Sequence, residues 1–384
     1  MTIETLPYIT RLKSWVESRD FAGWDPYDAM NSPLVRLLSL GTKYGRIAWT
    51  QFFRKCPINL RPLLAVPKRK NAKALGLFLE AYSKLYSVGG DEDLRDVIEK
   101  VLEGLDQTRS RGGSGYCWGY PFEWQSRAAL VPAGTPTIVN SSFIGHALLD
   151  CHQATGSSRA REMALQIPEF MLRDLNRLET DAGFCFSYTP IDRNFVHNAN
   201  MLGASLLMRL GKATANVEWM EVARKSMTYS VTRQRPDGSW PYAETGFQGW
   251  IDSFHTGFNL EALRWFVRLG EAPPEWEEAY LKGVAFYAGN FFLDDGTPKY
   301  YHDRVYPIDI HAPCEAVYFL SGESGHKELT DMVLGWMLRN MWNERAGCFH
   351  FRKSRYFTNR IPYMRWSQAW GMRALVEYHV KHCS

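Results

Sequence analysis

Six stretches of the chain share one pattern: a small residue five positions after the start, then apolar residues at helical spacing. They begin at Asn71, Asn140, Asn198, Asp252, Asp309 and Trp366, and the small residues are Gly76, Gly145, Gly203, Gly257, Cys314 and Gly371. The starts are 69, 58, 54, 57 and 57 residues apart, the spacing of a repeat architecture. Between them lie amphipathic, charge-rich stretches, clearest at 91–105, 217–231 and 274–292, which read as second helices with one solvated face. Glycine–aromatic turns follow: GYCWGY from Gly115, GFCFSY from Gly183, GSWPY from Gly238, GTPKYY from Gly296 and GCFHF from Gly347.

The unit is therefore an inner helix, an outer helix and an aromatic turn. A glycine on the less polar helix suits close packing inside a ring. Six such pairs predict an all-α fold, an (α/α)6 toroid of six helical hairpins with short aromatic turns at its mouth; an open helical solenoid is the rival. The pattern divides the chain into an N-terminal extension packed on the toroid, residues 1–70, and the toroid itself, 71–384. The insertion in the second half of the first unit accounts for its longer spacing. The segment GWDPYDAMNS, Gly23 to Ser32, carries no role the pattern assigns.

QRPDGSWPY, from Gln234 to Tyr242, resembles the Q-x-x-D-G-S-W repeat motif of terpenoid cyclases and protein prenyltransferases. The arrangement from Asn71 onward is also similar to six-hairpin glycosidases and to the toroid domains of polysaccharide lyases and uronate epimerases. The resemblance implies a ligand site at the mouth of the ring. It does not fix the chemistry, because one fold hosts many functions.

Composition narrows the classes. Hydrophobic residues make up 45% of the 384 and charged residues 22%, so the chain is globular. The net charge of +4 is too mild to argue for nucleic acid, and no nucleic-acid motif occurs, but it is compatible with an anionic substrate. No apolar run is long enough for a membrane span, and the first residues lack a basic segment followed by an apolar one. Seven cysteines without a CxxC pair point to a reduced, cytoplasmic setting. Cys117, Cys185 and Cys348 recur at similar points of three turns and read as packed small apolar side chains.

In a toroid the inner helices run parallel. Six N-termini, each with free N–H groups and about half a positive charge, then converge at one mouth and favour anions. The polar residues expected there are Asn140, His197, Asn198, Asn200, Asp252, His255, Asp309 and His311, with Trp118, Tyr188, Trp240, Tyr242, Glu244, Tyr301, His302, Asp303 and Arg304 from the turns and Tyr363 and Arg365 before the last helix. Asn71, Asn140, Asn198, Asp252 and Asp309 also suit N-caps. Capping does not explain four histidines, His197, His255, His302 and His311, in three neighbouring units.

Three chemistries compete. A carbohydrate-active enzyme on an acidic, uronate-containing oligosaccharide or polysaccharide would stack sugars on Trp118, Trp240 and Tyr301 and pair a carboxylate with Arg304 or Arg365, with Asn140, Asn198, Asn200, His302 and His311 as further binding groups. Lyase or epimerase chemistry needs a base, from His197, Tyr242 or His255, and groups that stabilise an enolate. Hydrolysis needs two carboxyl groups, for which Asp252 and Asp309 are the evident pair, with Glu244 or Asp303 as substitutes. A terpenoid cyclase or prenyltransferase is the second class, though the D-x-D-D of protonating cyclases is absent. No cofactor is expected; a zinc site would draw on Asp309, His311 and Asp252 or His255. The third class is a non-catalytic glycan-binding toroid.

Overall fold

The computed structural model describes residues 2–125, 130–244 and 246–383. Fifteen α-helices carry it: α1 Leu6–Glu17, α2 Pro33–Leu38, α3 Lys43–Lys55, α4 Ala72–Gly89, α5 Glu92–Gln107, α6 Ile138–Thr155, α7 Ser158–Leu165, α8 Ile167–Arg173, α9 His197–Thr214, α10 Val217–Val231, α11 Ser253–Arg268, α12 Pro274–Asn290, α13 His311–Ser321, α14 Lys327–Met341 and α15 Trp370–His382. A π-helical turn, Met364–Ala369, leads into α15. The strands are short antiparallel pairs in the turns, such as Arg177–Thr180 with Gly183–Phe186.

The inner helices α4, α6, α9, α11, α13 and α15 each pack on the next, and α15 packs on α4. That last contact closes the ring and rules out the open solenoid. At Gly76, Gly145, Gly203 and Gly257 the repeated small residue faces a neighbouring inner helix, whereas Gly371 faces Phe349 of the preceding turn. A Cβ at Gly76 would lie 2.7 Å from Ile144 Cγ1, and one at Gly257 would lie 2.5 Å from Glu315 Cγ, so only glycine allows these approaches.

The Q-x-x-D-G-S-W motif is a structural staple. Gln234 Nε2 donates to the carbonyls of Gly238 and Ala279, at 3.0 and 2.7 Å, and Asp237 Oδ1 accepts from the Ser239 backbone and hydroxyl. Gly238 has φ +88° and packs against the Lys282 carbonyl of α12. Trp240 is buried and donates through Nε1 to the Ser230 carbonyl. Trp118 does the same to Leu105. Both tryptophans, expected to touch substrate, instead tie a turn to the outer helix before it.

The turns are also stitched to inner helices. The otherwise unpaired N–H groups at the starts of α6, α9, α11 and α13 reach carbonyls of Tyr188, Tyr242, Tyr300 and Phe351 in the following turn. For the last unit the partner is Trp24: its carbonyl accepts from Met364 N at 3.2 Å. GWDPYDAMNS is thus the sixth aromatic turn, moved to the front of the chain. Its outer helix is α1, which packs on α15 and buries Ile9, Leu12 and Val16 in the main core. Residues 1–70 accordingly hold part of the ring, α1 and the turn after it, together with a small unit of α2 and α3 that has its own core around Met30, Val35, Phe53 and Val66.

No helix among the described residues is long and apolar enough to cross a membrane.

Candidate functional site

At the mouth lies a pocket of about 430 Å³. Every inner helix start reaches it: Lys73 of α4, Val139 of α6, Asn198 of α9, His255 of α11, His311 of α13, and Arg365 with Trp366 from the π-helical turn before α15. The aromatic turns add Tyr120, Tyr188, Tyr242, Trp250, Tyr300 and Tyr301, and the N-terminal unit adds Tyr27 and Arg54.

Asp252 is the N-cap of α11. Its Oδ1 accepts from the His255 backbone N–H at 3.0 Å, a cap worth about 1 kcal/mol. Its other oxygen accepts from His255 Nδ1 at 2.7 Å and from Trp250 Nε1 at 3.0 Å. The carboxylate is buried, while His255 keeps partial exposure on the pocket wall. A carboxylate on Nδ1 puts the proton there and leaves Nε2 with its lone pair. Tyr242 lies against this imidazole, ring centroids 4.6 Å apart, and stacks on Trp250 at 4.7 Å. Burial, with Asp252 adding to it, pushes the Tyr242 phenol well above its usual range, so it serves as an O–H donor and not as a base.

His311 packs face to face on Phe254, which also touches the His255 ring. It is buried, and neither ring nitrogen has a protein partner. Burial pushes its pKa well below the ordinary value, and Lys73, Arg365 and His255 add to the effect. Asn198 Oδ1 and Arg54 Nε are likewise buried without partners. A buried polar group that stays unpaired costs about 1–3 kcal/mol.

Three basic side chains line the wall, each in a different setting. Arg365 is held in a two-pronged pair by Asp25, at 2.5 and 2.8 Å, with its plane between Tyr120 and Trp366. Asp28 of the same turn holds Arg61 at 2.7 Å. Lys73 Nζ sits among Phe143, Phe258 and Trp370, 4.2 to 5.4 Å from their centroids. Burial drives its pKa well below the lysine range, with Arg365 and Arg373 adding to it. Against Arg54, Lys73 and Arg365, Asp252 is the one carboxylate among the described lining residues.

Of the residues expected from the sequence, the structure brings Asn198, Tyr242, Asp252, His255, Tyr301, His311 and Arg365 together at the pocket. Others stand elsewhere. His197 is buried with Nδ1 on Ser230 at 3.2 Å and Nε2 on Glu244 at 2.7 Å. Asn200 is fully buried and bonded to Phe186 N and to Ser226. Asn140 is buried in α6, whose cap is Thr137. His302 meets the Ile251 carbonyl at 3.4 Å, and Arg304 is exposed and paired with Asp303. Asp309 is wholly buried, bound to Arg352 at 2.8 Å and to Trp366 Nε1 at 2.5 Å. It orients Trp366 and leaves no free oxygen for the zinc set considered above. No group of three or more His, Cys, Asp or Glu in a metal-binding arrangement occurs among the described residues. Lys73, Arg54 and Tyr27 went unnoticed in the sequence, although Lys73 sits two residues after Asn71, at a repeat start.

No protein-family model matches the sequence, and no curated protein matches it either. Solved structures do. A cellobiose 2-epimerase from Bacillus thermoamylovorans has a TM-score of 0.63 at 10% identity, covering 97% of this chain and 99% of that one. A sugar epimerase from a ruminal bacterium has a TM-score of 0.61 at 14% identity, covering 83% and 90%. An inactive variant of an alpha-1,6-mannanase from a Salegentibacter species, in complex with alpha-1,6-mannotriose, has a TM-score of 0.59 at 12% identity, covering 98% and 99%. This chain has their fold, the (α/α)6 toroid. At such identities the likeness speaks for the fold alone.

Proposed function

We propose that this protein is a carbohydrate-active enzyme that removes the proton beside the carboxylate of a uronate in an anionic glycan, with His255 as base, in the manner of a lyase or a C5-epimerase. The observation that carries the reading is the Asp252–His255 pair, which leaves Nε2 free in a pocket walled by rings and cations. The rings suit sugar faces. Arg365 and Arg54 suit the carboxylate, and the same charges stabilise the enolate that forms when His255 takes the proton. Tyr242, beside His255, is a neutral O–H that would protonate a leaving oxygen on the same side of the sugar as the base.

Hydrolysis fits less well. It requires two carboxyl groups facing the bond. Asp252 is engaged by His255 and Trp250, and Asp309 lies outside the pocket in a buried pair with Arg352.

The test is a screen of uronate-containing glycans in heavy water, reading ultraviolet absorbance of unsaturated uronates, solvent deuterium at C5 and new reducing ends. Unsaturation or deuterium, lost in His255→Ala, supports the proposal. New reducing ends with neither would overturn it in favour of hydrolysis.

A further inference from the structure

The small unit of α2 and α3 carries the most unusual surface of the molecule. Between Asp28 and Glu80 the sequence has ten lysines and arginines and no aspartate or glutamate; Arg61 and Lys73 are buried and Arg54 lines the pocket, which leaves seven toward the surface. The chain as a whole is only +4, so the remainder is net negative. The same stretch concentrates exposed apolar side chains. Eight of the twenty strongly exposed large hydrophobics among the described residues lie between Leu34 and Leu63. Leu37, Leu40 and Tyr44, at the corner between α2 and α3, are 74%, 82% and 79% exposed.

Leu40 sharpens the point. Its φ is +53°, a left-handed position that glycine or asparagine fills with less strain. A leucine there is disfavoured by the backbone and by water alike, so folding does not explain it.

Single exposed leucines need no explanation, but a cluster of them on a basic unit does. Lys43, Lys55, Lys68 and Arg69 are exposed on this unit. The acids that reach it come from neighbouring elements: Glu123 lies 3.6 Å from Arg36 and 3.9 Å from Arg46, and Asp20 pairs with Lys70 at 2.8 Å. A protein partner would need apolar contacts and an acidic rim matched to this outline. An anionic bilayer supplies both continuously, its headgroups to the cations and its acyl boundary to the leucines and tyrosine.

We infer that the α2–α3 corner is a membrane-surface docking site, which inserts Leu37, Leu40 and Tyr44 among anionic lipid headgroups. The chain then sits on the bilayer without crossing it. Tyr44 opens α3 and Arg54 near its other end enters the pocket wall, ten residues or roughly 15 Å along the axis. Docking at this corner therefore holds the pocket mouth close to the membrane. The inference is independent of the chemistry proposed for the pocket.

Vesicle flotation of the full-length protein tests it, using phosphatidylcholine vesicles with and without phosphatidylglycerol, at low and high salt. The expected result is flotation with the anionic vesicles that weakens as salt rises. The double variant L37S/L40S should partition at least about tenfold more weakly, and K43E, at the start of α3, several-fold more weakly with a flatter salt dependence. All three positions are solvent-facing, so unchanged thermal midpoints establish that the variants fold. No flotation of the wild type, or equal flotation of both variants, overturns the inference. So does a dimer in sedimentation that L37S/L40S abolishes while vesicles are ignored, since that assigns the corner to a second copy of the chain.

Discussion

His255 and His197 stand in the first turns of adjacent inner helices, each 2.7 Å from a carboxylate. The resemblance ends at the second nitrogen. His197 has both ring nitrogens engaged, by Ser230 and Glu244, and is buried away from the pocket. His255 has Nδ1 held by Asp252 and presents its other face to the pocket. The two histidines differ in the nitrogen left over after folding, which is the ground on which the proposed role falls to His255 and not to His197.

Asp252 and Asp309 repeat the lesson. Both precede inner helices. Asp252 directs its pair of oxygens to His255 and Trp250, whereas Asp309 neutralises Arg352 and fixes Trp366.

The comparison breaks most sharply on turnover. His255→Ala should lower kcat by about 10²–10⁴-fold with little change in thermal midpoint. His197→Ala should do the reverse: activity per folded molecule within a few-fold, and stability lower by about 1–3 kcal/mol in denaturant titration, because Ser230 and Glu244 lose their partner. Equal losses of activity in both would erase the distinction.

Asp252→Asn comes next. Asparagine caps a helix as well as aspartate, so α11 should keep its start. The charge that orients His255 is gone, and kcat should fall by about 10²-fold, while Glu244→Gln should leave it nearly unchanged. Circular dichroism and steady-state kinetics on the pair separate the roles.

A pH series isolates His311. Its folded pKa lies below the unfolded one, so the unfolded chain binds the extra proton first. Stability from this residue is fully present above the unfolded value, near pH 6.5, and is lost as pH falls below it. In His311→Gln the fall in thermal midpoint on acidification should be shallower than in the wild type. Parallel curves would mean that the ring is not held neutral.

The smallest expected effect is at Trp250. Trp250→Phe removes one hydrogen bond to Asp252 and keeps a ring beside Tyr242, so activity should drop only about fivefold. A loss as large as that of Asp252→Asn would make the indole, and not the carboxylate, the group that sets His255.

Much of the scaffold was legible without coordinates. The period of small residues located six inner helices, because glycine is needed wherever two helices approach as closely as α4 and α6 do at Gly76 and Ile144. The charged stretches located outer helices, because one face of each meets water. Convergence of helix starts located the mouth, and with it Tyr242, Asp252, His255, His311 and Arg365. Motif resemblance was less reliable for roles: Trp240 belongs to the most recognisable motif of the chain and holds a turn on Ser230.

The sequence alone determined the repeat, the ring and the end of the ring where polar groups gather, since these follow from local spacing and elementary sterics. Only the tertiary structure decided which polar groups remain unpaired. Pairing is made by residues far apart in the chain: Asp25 reaches Arg365 and Trp24 bonds Met364, so a front segment without a local role becomes the sixth turn of the ring. Arg54 and Tyr27 enter the pocket by the same route. Periodicity records which face of a helix is buried; it does not record which hydrogen bonds the neighbours across the ring complete.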